Sequence, residues 1–503
     1  MCVAEGGHDV AMWLFAHLSC LARCRARRTP LAAAVALVGA LALGAPAPSL
    51  AAGWSPAVSV SAPHDTIGNL GLASGPNGAM IFWHFYDLAS PAHHLLGPPG
   101  AGYATAPISG AFRAPHRLPA SYASGPLVAL GGGRVAQLIL RRTGVNTAKP
   151  SVAIGNVGGR FRSPLPVAGT VWIGSASLAG NRAGELLLAW ISSTRAGHRR
   201  VWASVRLPGH GFAPPQLISS SANGLAVTAA VGPGSHTPTA GRAASDMVVA
   251  FDSKRGRMLV RVRPHGHSWG TVSDIGPAAV GTDNEVATPY VARNGRIVVA
   301  WYHRQLSEGG EMGPSYTQVS VRPPNQAKFL PAQTIAKSQN GPLSGDVALV
   351  GGYGYPPLVA FLAAASSSEP TPAPSVVRVS SSHGNRFSAA RTLSPPGQWT
   401  NDVAAAEGPR GPIVTWLGGP NPPFSPLSPG AAVYAALGAP GRNQFDTAAE
   451  VSPAEHVQLA VPLHIENGDL WIIAWSGLPN FLSPQNPGRQ VVRVTTCWTS
   501  CGR

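Results

Sequence analysis

The sequence predicts an all-β protein, an eight-bladed β-propeller of four-stranded blades closed into a ring by its N-terminal strand, with seven blades as the fallback. Three observations lead there. A turn–aromatic–proline phrase returns eight times, a second apolar phrase alternates with it, and the two series are out of step at the chain ends.

The first phrase is typified by "GHGFAPPQLIS" (209–219). Aligned on the aromatic, its copies fall at Trp54, Phe112, Phe161, Phe212, Trp269, Phe329, Phe387 and Phe445, spaced 49 to 60 residues apart. Six positions after each stands an aliphatic: Val60, Leu118, Val167, Ile218, Ile275, Ile335, Leu393 and Val451. An even spacing puts both on one side of an extended strand, whereas a helix favours three, four or seven.

The second phrase is "ELLLAW" (ending at Trp190), "RIVVAW" (Trp301), "LWIIAW" (Trp475) and their relatives, with "RVAQLIL" (134–140) as a degenerate copy. A short apolar segment ending in Gly precedes each copy, and a segment such as "VWASVRLPG" follows it. Each unit therefore holds four strands, A to D, with the first phrase as D. Short antiparallel strands at this period are what a propeller requires, because one blade cannot bury both of its faces alone. The aromatics ending strand B are expected to pack between blades rather than to form a ligand cage.

The chain opens on a D phrase, "GWSPAVSVS", with no A, B or C before it. It closes on A, B and C ("VQLAVPLHIENG", "LWIIAW", "QVVRVTTCW") with no D. The N-terminal strand is therefore expected to complete the last blade.

Composition agrees with many turns joining many strands: 59 Gly and 49 Pro among 503 residues, 45% of them hydrophobic. The formal charge of +16 implies attraction to polyanions. No dense Lys/Arg run marks a nucleic-acid groove, so no nucleic-acid partner is expected.

Residues 1–51 are expected to be a cleaved signal peptide. Arg23, Arg25, Arg27 and Arg28 precede the apolar run "PLAAAVALVGALALGA", and Ser49 with Ala51 fits small-x-small cleavage. A membrane anchor is the competing reading; the run is short and broken by Pro46 and Pro48. Residues 52–503 then form a single propeller domain, exported to an extracellular or periplasmic space, monomeric and free of the membrane. In an oxidising compartment Cys497 and Cys501 are expected to form a disulfide, since two cysteines alone cannot complete a structural zinc site.

Candidate binding residues follow from topology. The heads of the A strands share one face of the ring with the B–C loops. Acids recur there: Asp65, Asp283 with Glu285, Asp346, Asp402 and Glu455. They either satisfy turn amides or gather at the channel mouth, where calcium is the cofactor they would take. The B–C loops of blades two to four are basic, and Arg142, Arg199 and Arg255 are the expected contacts to an anionic ligand. His84, His93 and His94 are read as solvent-exposed.

The D phrase stands where sialidase-type propellers carry their Asp-box turn, and "FRAP" (112–115) and "HRLP" (116–119) look like their arginine motif. The chain thus distantly resembles the sialidase, or Asp-box, class of secreted propellers over nearly all its mature length. The likeness is architectural. No copy shows Ser-x-Asp-x-Gly-x-Thr-Trp, both arginine motifs fall on a D strand, and no Asp occurs between Asp87 and Asp246. Nucleophile-elbow, zinc-helix and Walker patterns are missing too.

Since the rim acids lack an identifiable base, nucleophile and oxyanion donors, the expected function is a non-catalytic binding or scaffold propeller. Its loop face would hold an extracellular anionic glycan or a protein. The alternative is a hydrolase or lyase of extracellular polysaccharide with acids at the channel mouth.

Overall fold

The computed structural model describes residues 53–498 apart from single residues and loop segments, chiefly 91–94, 119–123, 234–244, 278–286, 307–311, 339–345, 366–373, 421–430, 453–455, 465–469 and 479–489. Eight antiparallel sheets follow one another along the chain, each ordered A–B–C–D. The degenerate second unit is a full blade, its B strand Arg134–Arg142 lying between Ser124–Leu130 and Thr147–Asn156. Each A strand touches the A strands of both neighbouring blades, all the way round, so the A strands form the inner wall.

The seam closes as the sequence implies. The N-terminal strand Val58–Ser59 pairs antiparallel with the last strand, Val491–Trp498, with Val58 opposite Val494 and Ser59 opposite Arg493. Trp54 bridges Cys497, and the N–H groups of Ser55 and Val60 donate to the carbonyls of Thr496 and Val492 at 2.8 and 2.9 Å.

The core lies between blades. Strand B is the fully apolar one, as in Leu358–Ala364, because it is covered on both faces by neighbouring blades. Trp83, Trp190, Trp301, Trp416 and Trp475 are all fully buried, and the apolar clusters around them draw on two adjacent blades each. Two of the indole N–H groups are paired: Trp301 donates to the Pro277 carbonyl at 2.8 Å and Trp416 to Gln398 Oε1 at 3.1 Å, whereas those of Trp83 and Trp475 are buried without a partner.

The recurring D phrase has a backbone cause. In all eight blades the residue after the aromatic donates its N–H to a carbonyl of strand C, at 2.8–2.9 Å: Ala213 to Val205, Leu330 to Val321 and Asp446 to Leu437, for example. In several blades the strand C side chain one position earlier returns the bond. The Ser204, Ser320, Ser380 and Thr495 hydroxyls, and the Arg261 guanidinium, donate to the carbonyl of that same clipped residue. The prolines that follow, such as Pro214 and Pro215, carry no N–H. The chain therefore leaves the ladder there without stranding a donor before Gln216–Ser219 resumes it.

Strands A and C run towards one face of the ring and B and D run back. One face thus carries the B–C loops and the heads of the A strands (the loop face). The other carries the A–B and C–D turns (the turn face).

Candidate functional site

The residues expected on the loop face divide. Asp65, Asp283, Glu285, Glu455, Arg255, His93 and His94 lie outside the described residues, as does the side chain of Arg142. Arg199 begins strand C of blade three opposite Ser193 and is half-buried. Asp346 immediately precedes Val347–Val350, its carbonyl accepting the Leu362 N–H at 3.2 Å. Asp402 is the extra residue of a bulge in Trp399–Gly408, with a φ of 50° that non-glycine residues seldom adopt. Asp346 and Asp402 thus stand at the heads of neighbouring inner strands, and Arg199 belongs to a blade far round the ring. His84, expected at the surface, is instead buried within strand B of blade one, because Gly78–Tyr86 continues past it. Cys497 is buried and disulfide-bonded; Cys501 lies outside the described residues. Arg113 and Arg117, of the two sialidase-like motifs, are exposed at the outer strand of blade one, away from the inner wall.

A different carboxylate has the surroundings of a reactive group. Glu407 is the penultimate residue of the inner strand Trp399–Gly408, at the turn face. Alternation puts it on the side of Val403 and Ala405, which pack against blade six. Its neighbour there is the glycine pair Gly351–Gly352, which follows strand A of blade six. A Cβ on Gly352 would stand 3.2 Å from Glu407 Oε2. A Cβ on Gly351 would stand 2.5 Å from the Tyr290 ring and 2.8 Å from its hydroxyl oxygen. Two residues without side chains thus let a carboxyl from blade seven and a phenol from blade five approach the same stretch of backbone. The turn is held by the Tyr355 N–H donating to the Gly352 carbonyl at 2.8 Å, while the Tyr355 hydroxyl donates to the Pro409 carbonyl of blade seven.

Burial pushes the Glu407 carboxyl up to about 7. Burial also raises the Tyr290 phenol, and the nearby Glu407 charge raises it further. Near neutral pH the Tyr290 phenol thus keeps its proton, while Glu407 is partly protonated. Glu407 Oε2 is buried and accepts no hydrogen bond. It lines a small crevice between blades six and seven, with room of about 10 Å³, enough for roughly one water molecule. Ser381 Oγ in the same cleft is likewise buried and unpartnered, and Tyr355 and Arg442 complete the polar lining. Chemically the cleft offers one carboxyl able to give or take a proton, with neutral and cationic donors around it.

Sequence reading missed this site. The available signal was the Glu of "DVAAAEG", the one charged residue in an inner strand that is otherwise small and apolar after its bulge.

Among the described residues no three His, Cys, Asp or Glu side chains group as a metal site. No family model matches the chain, and no curated protein matches it. Solved structures do share its fold. A protein of unknown function from Dyadobacter fermentans is 10% identical, covers 73% of this chain and 93% of its own, and has a TM-score of 0.36. The polysaccharide lyase Uly1 is 10% identical over 73% of this chain and 88% of its own, with a TM-score of 0.39. The α-L-arabinofuranosidase Arb93A of Fusarium graminearum is 13% identical over 65% of this chain and 93% of its own, with a TM-score of 0.34. At these identities the likeness extends to the fold alone. Where these structures have a stated activity it is that of a polysaccharide lyase or a glycoside hydrolase, against the expectation of a non-catalytic binding or scaffold propeller, which is withdrawn. Its premise concerned the loop-face acids alone and left aside Glu407, the raised carboxyl of the opposite face.

Proposed function

We propose that the protein is a propeller enzyme acting on extracellular polysaccharide, a hydrolase or lyase in which Glu407 transfers the proton. The observation that supports this reading is the buried, unpartnered Glu407 oxygen at the wall of a water-sized crevice between two blades, on a carboxyl raised to about 7. A carboxyl kept partly protonated at neutral pH is what a glycosidic leaving group needs. In hydrolysis the proton passes from Glu407 to the bridging oxygen as the C–O bond breaks, and water supplies the new hydroxyl. In elimination the same donor protonates the leaving oxygen while a base removes a ring hydrogen and a C=C bond forms. Tyr290, held in its neutral form, is a hydrogen-bond donor and not the base.

Incubating the mature protein with a panel of neutral and acidic polysaccharides tests this. New reducing ends are expected from either reaction, and a product absorbing in the ultraviolet from elimination alone. Release of neither, or release undiminished in Glu407→Gln, refutes the reading.

A further inference from the structure

The turn face carries a charge pattern that a proton-transferring cleft does not by itself require. Its turns present exposed cations around most of the ring: Arg113, Arg162 and Arg182 in blades one to three, and Lys328, Arg386 and Arg442 in blades five to seven. Among the described residues Asp446 is the one exposed carboxylate on those turns. The other described acids of this face are enclosed. Glu185 is buried and accepts from Asn181 Nδ2 at 2.8 Å, and Asp246 is paired with Arg322 at 2.9 Å. Among the described residues, burial of the acids and exposure of the cations leave these turns net positive.

The cleft opens within this field. Arg442 lines it directly, beside Glu407 and the buried, unpartnered Ser381 Oγ. A neutral polymer gains nothing from cations spread over six blades, whereas a polyanion meets them in succession and is steered towards the cleft. From this we infer that the turn face is the docking surface for an anionic polysaccharide, one bearing carboxylate or sulfate groups. Arg442, exposed at the rim of the crevice, would receive the anionic substituent nearest Glu407. The inference rests on the proposed enzymatic reading for its choice of polysaccharide over other polyanions, but its test does not depend on catalysis.

Retention of the full mature chain on immobilised heparin and alginate, eluted with salt, is the measurement, with dextran as the neutral control. The triple reversal Lys328→Glu, Arg386→Glu and Arg442→Glu is expected to shift elution to clearly lower salt. The loop-face triple Arg141→Glu, Lys149→Glu and Arg200→Glu makes the same change in net charge at exposed positions and is expected to shift it much less. Equal shifts would reduce the attraction to net charge and overturn the inference, as would stronger retention on immobilised DNA or on vesicles of anionic lipid. Circular dichroism of both triples confirms that each remains folded. Retention without any cleavage upholds this surface and sinks the enzymatic reading. Cleavage of a neutral polymer with no retention on polyanions does the reverse.

Discussion

Val58 faces Val494 across the seam, so the first described strand of the chain is the outer edge of the last blade. The pairing is supported by side chains: the Thr495 hydroxyl donates to the Ser55 carbonyl at 2.6 Å, and the Thr496 N–H donates to Ser55 Oγ at 3.0 Å. Deleting residues 53–61 would strip this edge from Val491–Trp498 and uncover Val492 and Val494. Light scattering on mild heating is expected to show aggregation well below the unfolding temperature of the intact protein. A deletion variant that stays monomeric and melts cooperatively at the same temperature would show that the strand is dispensable.

The raised carboxyl of Glu407 has opposite consequences for activity and stability. The native state holds this proton up to about 7, while an unfolded glutamate releases it near its ordinary value of 4.5. Its contribution to stability is thus fully present below 4.5 and is lost as pH rises through about 7. Glu407→Gln should therefore melt at or above the wild-type temperature at pH 8, and show little difference at pH 4. Polysaccharide cleavage should fall by about 100-fold or more in the same variant. In the wild type, a proton-donor role makes activity decline as pH passes through about 7.

Gly351 is a spacing element. An alanine there would place its methyl carbon 2.5 Å from Tyr290 Cζ, so the phenol must move. Gly351→Ala is expected to reduce activity more than Tyr290→Phe does, because it displaces the ring where the other removes one hydroxyl. Comparing kcat/KM for the two variants checks this, and equal losses would mean that the hydroxyl is all that matters.

Among the inter-blade aromatics, Trp301 is fully buried and hydrogen-bonded, with the blade four residues Val248 and Val260 packed in the same cluster. Trp301→Ala is expected to cost about 3–5 kcal/mol. Denaturant unfolding monitored by circular dichroism reads this directly.

His303, one turn of the pleat further along the same strand, is 2% exposed and stacked on Tyr316 at 4.9 Å. Burial lowers its pKa, so the unfolded chain binds a proton that the native state refuses. Its penalty grows as pH falls through the ordinary imidazole range of about 6.5, and stability should decline on that limb. In His303→Gln the decline between pH 7 and 5 is expected to be shallower.

Legibility in the sequence followed how each feature is made. Strand B was plain because two-sided burial demands an unbroken apolar run, and "RIVVAW" or "LWIIAW" can be little else. The D phrase was visible as a recurrence, but not its cause, since the clip is a backbone N–H bond that Ala213, Leu330 and Asp446 make alike. The site was hidden for a related reason. Glu407 is made unusual by Gly351 and Gly352 of another blade, and no local pattern joins them. Reading acids at the A-strand heads drew attention to the loop face. Asp346 and Asp402 do stand there as inner-strand neighbours, and Asp402 proves to be a bulge residue whose strained φ its sequence context did not announce.

The seam also orders events in time. Residues 54–60 leave the ribosome before any complete blade exists, while their partner, Val491–Trp498, follows only after seven blades have been made. Until then blade eight has no outer strand, and blade one lacks the neighbour that covers Ile81 and Trp83. Seven blades can pair internally as they emerge, but the ring cannot shut until Val491–Trp498 has been made. Completion is then a single step joining two strands with seven blades between them. A polypeptide stopped just short of Val491 would hold seven paired blades and an open circle.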